Sequence, residues 1–307
     1  MQHPSKQIRL WITVLVILAA IFMIAVQPFM INGVINPIVE GQLARMEKFA
    51  TEGTPEANVK VGLLGLTPWL VSFFFPFWTA LSFVGGFVLI AVARPLYQGE
   101  RWARAVTLLA LAMPAMGGAY MIVPWMNFVG SVQGGFPPAV LIMMVGLVPY
   151  FAVLLAEKST LPAKLANFFV FLMLGVCAAE NFANGHAAFR VLYGHPARPI
   201  IPESISVLWL SWPVLWITSL FFIISIFQLG KEHFSGYYLA LIAGAATVVG
   251  SYATHTVRNA TNDYLYGALM GLSVVVLLLI PYVKQAIFAK SADVQEPQLV
   301  AQPAAAD

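Results

Sequence analysis

Glu180, Asn181 and Asn184 are the residues of this chain whose types and spacing are best suited to chemistry. Glu180 and Asn184 are four residues apart and share one face of a helix, with Asn181 beside them. One helix end therefore offers a proton acceptor and two amides to its neighbours. His186 and His195 follow in the polar stretch 180–206, and His255 comes shortly before Arg258 in a later polar turn. Imidazole and carboxylate are suited to exchanging protons, so Glu180, His186, His195 and His255 form the candidate catalytic set. Asn181, Asn184, Arg190, Arg198, Ser251 and Arg258 are candidate ligand contacts, and the Ser251–His255 spacing allows a hydrogen bond on one helix face. Trp209, Trp212 and Trp216, at i, i+3 and i+7, add an aromatic face that suits a flat or lipid-like ligand or an interfacial belt.

No metal site is expected. His186 and His195 lie nine residues apart, no compact ligand motif occurs, and the lone Cys177 excludes a cysteine cluster or an intrachain disulfide. Facing axial histidines for a haem are also lacking. The chain has no phosphate-binding glycine loop, GxSxG elbow or HExxH motif, which argues against nucleotide-driven work and serine-type hydrolysis.

The elements that must position these residues are transmembrane helices. The 307 residues are 60% hydrophobic and 9% charged, with a mean hydropathy of +0.82, against about 25% charged residues in soluble proteins. The net charge of +3 comes from basic residues scattered singly, so nucleic acid is not an expected partner. Apolar runs predict eight spans, at 10–30, 71–93, 105–123, 138–156, 165–188, 207–229, 237–254 and 264–283. Residues 35–60 carry charges among apolar residues at helical spacing and predict an amphipathic surface helix ending near Thr54 and Pro55. The uncharged run 61–93 would be about 50 Å long as one helix, too long for one span and too short for two. It predicts an interfacial segment at 61–70, broken at Pro68, and a crossing kinked at Pro76.

The predicted fold is an all-α polytopic membrane protein. One eight-span domain over 1–290 is followed by a low-complexity, disordered tail at 291–307. The end shared by the termini carries Lys6, Arg9, Arg94, Arg101, Arg104, Lys158, Lys164, Lys231, Lys284 and Lys290, against Arg45, Lys48, Lys60, Arg190, Arg198 and Arg258 opposite. By the positive-inside rule both termini are cytoplasmic in a bacterial plasma membrane, and 180–206 faces outward. Residues 98–120 echo 228–252, and 146–151 echo 277–283, at an offset of 131 to 132. This predicts a parallel 4+4 repeat with halves 1–158 and 159–290. Gly244, Gly250, Gly267 and Gly271 suit close helix contacts in the bundle or a dimer face.

Charge is absent from the middle of the spans, which argues against an ion-driven pump. Three functions stay open. The leading one is a membrane component that binds a hydrophobic or amphipathic small molecule, or a partner subunit, at its outer face. The others are a membrane enzyme acting on a lipid or isoprenoid-like substrate through Glu180 and histidine, and a carrier without intramembrane charge. The implied partners are the lipid bilayer and membrane subunits or a second copy; the residues specify no cofactor.

Overall fold

Local chemistry sets the helix boundaries. Ser5 Oγ accepts from the Ile8 N–H at 3.3 Å and caps α1, Lys6–Ala25. After a turn of 3-10 helix at Gln27–Met30 comes α2, Ile31–Glu52, which ends at Gly53 with φ 65°, a left-handed conformation that glycine adopts without strain. Thr54 caps α3, Pro55–Gly65, by accepting from the Ala57 N–H, and Pro55 sits at the first position, where its missing N–H costs nothing. The remaining helices are α4 Thr67–Gln98, α5 Arg101–Trp125, α6 Pro138–Leu155, α7 Leu161–Tyr193, α8 Ser206–Gly230, α9 Phe234–Val257, α10 Asp263–Leu279 and α11 Pro281–Ala292. The computed structural model describes residues 4–130, 134–157, 159–193, 206–258 and 261–292. His195, Arg198 and most of the C-terminal tail lie outside the described residues.

Among the described residues seven helical runs are long and apolar enough to cross a membrane, and α10 with α11, bent by 73°, makes an eighth if the pair is one span. The chain is therefore an all-α polytopic membrane bundle. Its outward faces are apolar, as lipid requires: Trp11 is 65% exposed, Leu210 67% and Val249 70%.

The spans pack in chain order within two sets. α1 packs on α4, α4 on α5 and α5 on α6, which touches α1; α7 packs on α8, α8 on α9 and α9 on α10, which returns to α7. The sets meet along α5, which packs against α7 and α8. Glycines set the closest approaches. A Cβ on Gly118 would lie 2.5 Å from Met143 N on α6, and one on Gly271 would lie 3.0 Å from Gly244 O on α9. Gly244, Gly267 and Gly271 thus serve contacts inside the bundle. At the basic end Arg104 donates to Leu154 O at 3.4 Å and Gly230 O at 3.2 Å, carbonyls at the negative C-terminal ends of α6 and α8.

Two segments depart from expectation. Residues 61–70 are not broken at Pro68: after a one-residue turn at Leu66, α3 runs into α4 without a sharp bend, giving a run of 44 residues from Pro55 to Gln98. That run is about 66 Å long, so roughly half stands outside a hydrocarbon core of about 30 Å, with α2 packed beside α3. Pro68 does not break it because it falls in the first turn of α4, where no backbone partner is lost. The eighth span, by contrast, is not straight to residue 283. Ile280 is extended, with φ −66° and ψ 119°, because a residue preceding proline is pushed out of the helical region. Beyond it α11 turns aside and buries Val283, Ile287 and Phe288, whose ring stacks on Phe234 with centroids 4.3 Å apart.

Candidate functional site

The end of the bundle opposite Arg104 holds a cavity of about 160 Å³ enclosed by α4, α5, α7 and the α9–α10 turn. The long α7 supplies Glu180, Asn184, His186 and Arg190; Tyr120 comes from α5, Thr67 from the start of α4, and Arg258 and Asp263 from the turn. At 1.5 Å per residue, Glu180 lies about 24 Å and Arg190 about 39 Å from the level of Lys164. With Lys164 at one edge of a ~30 Å hydrocarbon layer, these rises would carry the cavity from the opposite edge of that layer into the headgroups.

Its polar groups are individually tethered. Tyr120 Oη and His186 Nδ1 are hydrogen-bonded at 2.5 Å, and His186 is only 7% exposed. The Tyr120 hydroxyl has no other acceptor among the described residues, so its proton goes to Nδ1 and the ring proton is assigned to Nε2. Asn184 Nδ2 donates to Glu180 Oε1 at 3.1 Å and to the Asp263 carbonyl at 3.3 Å. Arg190 donates to Thr67 Oγ1 at 3.1 Å. Arg258 donates to Tyr264 Oη at 3.0 Å and lies over that ring at 5.3 Å, while Tyr264 donates to the Asn184 carbonyl at 3.3 Å. One turn deeper, fully buried Asn181 donates to Thr218 at 2.8 Å and Thr247 at 2.6 Å, tying α7 to α8 and α9.

The structure brings Glu180, Asn184, His186, Arg190 and Arg258 to one cavity, but not in the expected pairings. Glu180 and His186 are six residues apart, about 9 Å along the helix, and do not hydrogen-bond. Among the described residues no carboxylate lies within ion-pairing distance of Arg190 or Arg258. His255 does not line the cavity, and the expected Ser251–His255 bond is absent: Ser251 Oγ and His255 Nδ1 are buried without partners. The close α9–α10 approach explains the serine, since a Cβ on Gly267 would sit 3.1 Å from its hydroxyl. Among the described residues no three His, Cys, Asp or Glu side chains converge as metal ligands do.

The tryptophans build a different space. Trp209 packs on Tyr193, Trp212 on Phe189 and Trp216, and Trp216 on Phe74 at 5.3 Å. Gly185 admits the Trp216 indole against α7, where its Nε1 donates to Phe182 O at 3.1 Å. Phe74, Phe182 and Trp216 then form the head of an apolar groove of about 490 Å³ between α4, α5 and α8. The groove descends to Phe227 and opens sideways, where Phe77 is 51% and Leu220 52% exposed. From Trp216 to Phe227 is about 16 Å, half the thickness of the hydrocarbon core. Groove and polar cavity are one side-chain layer apart: Phe74 lies 6.2 Å from the His186 ring, and Phe182 lies 5.1 Å from Tyr120.

Tyr120, Thr67, Phe74 and Phe182 carry no sequence signal of this role. Each is an ordinary residue of an apolar run, and only the packing of α4 and α5 on α7 selects it. The chain matches no protein-family model, no curated protein and no solved structure.

Proposed function

We propose that the protein binds an amphipathic small molecule, with its apolar part in the α4–α5–α8 groove and its polar end in the cavity beside Tyr120 and His186. One observation carries this reading: a polar cavity at interfacial depth and a lipid-facing apolar groove are separated by a single layer of aromatic rings. Displacement of the Phe74 or Phe182 ring from this layer would join the two spaces. A partner subunit would call for a flat apolar face, whereas concave spaces with a few polar groups are what small ligands occupy. A carrier reading shares this ligand and draws on the position of the groove between the two four-span sets.

The test is to purify the protein in a mild neutral detergent and identify the retained lipids by mass spectrometry. A selected amphiphile should be enriched over the bulk membrane and lost from Ile223→Trp, which fills the groove with a bulky ring while the fold is checked by circular dichroism. A retained lipid profile equal to that of the bulk membrane in both proteins would defeat the proposal.

A further inference from the structure

We infer that the polar end of this ligand is a phosphate-type oxyanion, clamped between Arg190 and Arg258 with His186 Nε2–H as a third donor. The inference rests on the amphiphile reading just given and adds the chemistry of the head.

Each guanidinium carries five N–H donors. Arg190 uses one on Thr67, and Arg258 uses one on Tyr264. Arg190 Nε is buried without a partner. Among the described residues, two half-buried cations thus face one cavity with most of their donors unused, an arrangement that is costly unless an anion completes it.

The carboxylates on the same cavity do not complete it. Glu180 accepts from Asn184, and the exposed Asp263 carboxylate accepts from the Thr261 hydroxyl at 2.8 Å. Neither lies within ion-pairing distance of a guanidinium. Asp263 instead occupies the first turn of α10, where a negative charge complements the helix N-terminus.

Donor number selects the anion. A planar carboxylate is satisfied by one guanidinium fork, whereas donors from Arg190, Arg258 and His186, on two different elements, suit the several oxygens of a phosphate. The depth fits as well: with Lys164 at one edge of a ~30 Å hydrocarbon core, a rise of about 39 Å carries Arg190 into the opposite headgroup layer. A lipid phosphate and a free phosphate share this chemistry, and the groove distinguishes them.

The experiment uses the full chain in a neutral maltoside detergent. Tryptophan fluorescence is titrated with dodecyl phosphate, with dodecanol and with inorganic phosphate. Dodecyl phosphate should bind at least about tenfold more tightly than dodecanol, and Arg190→Gln or Arg258→Gln should remove that advantage by weakening dodecyl phosphate far more than dodecanol. Dodecanol binding that persists in the variants also reports an intact groove. A measurement on the native chain supports the variants: affinity for dodecyl phosphate should fall as salt rises, and that for dodecanol should not.

Equal affinity for dodecyl phosphate and dodecanol, without salt dependence, would overturn the oxyanion clamp and leave the amphiphile reading standing. Inorganic phosphate binding as tightly as dodecyl phosphate would keep the clamp and remove the tail. Failure of all three probes to bind would overturn both.

Discussion

Hydroxyls and amides, rather than ion pairs, connect the elements around the candidate site. Replacing Tyr120 with Phe keeps the ring contacts with Phe182 but leaves His186 Nδ1 buried without its partner. The expected cost is about 1–3 kcal/mol, measured as a lower midpoint in denaturing-detergent titration. Asn181→Leu should cost about as much, because it strands the Thr247 hydroxyl and cuts the links from α7 to α8 and α9; the same titration checks it. At this scale the sequence was partly legible. Glu180, Asn184, His186, Arg190 and Arg258 stood out because charge and amides are rare in an apolar chain, and all five line one cavity. Tyr120 and Thr67 did not, because in sequence an isolated Tyr or Thr in a span looks like packing. His255 does not join the cavity, because its place in the last turn of α9 sets its end of the bundle but not which way its ring turns.

Helix approach distance is a property of elements, and it separates glycines that look alike in sequence. Gly118→Ala would press a Cβ to within 2.5 Å of the α6 backbone and should destabilise the protein by about 1–3 kcal/mol. Gly175→Ala meets nothing within 4 Å and should be neutral, or stabilising by about 0.5–1 kcal/mol through helix propensity. Thermal unfolding of the two variants in one detergent checks the contrast. Element ends are legible where a cap or a proline acts on its own chain, as at Thr54 and Pro55. The two prolines at 68 and 281 show the limit of such reading. Both open a helix, but the chain runs on past Pro68 without a sharp bend and turns by 73° at Pro281.

For the whole molecule, hydropathy foretold the bundle because lipid leaves a chain few alternatives to helices, while the neighbour order had to be seen. Both four-span sets close in the same order, but Pro149 runs inside α6 where Pro281 follows the break after α10. The charge tally proposes that the α2–α3 hairpin faces out and α11 faces the cytoplasm. In a Cys177→Ala background, Asn58→Cys should react with a membrane-impermeant maleimide in intact bacteria, and Gln285→Cys only after permeabilisation; the opposite pattern inverts the topology. The groove that opens between Phe77 and Leu220 has a consequence of a different kind. A ligand that arrives through it never has to enter water, so its effective concentration is a mole fraction within the surrounding lipid or micelle. Occupancy would then follow the ratio of ligand to amphiphile in two dimensions, and diluting the sample with buffer alone would leave the site as full as before.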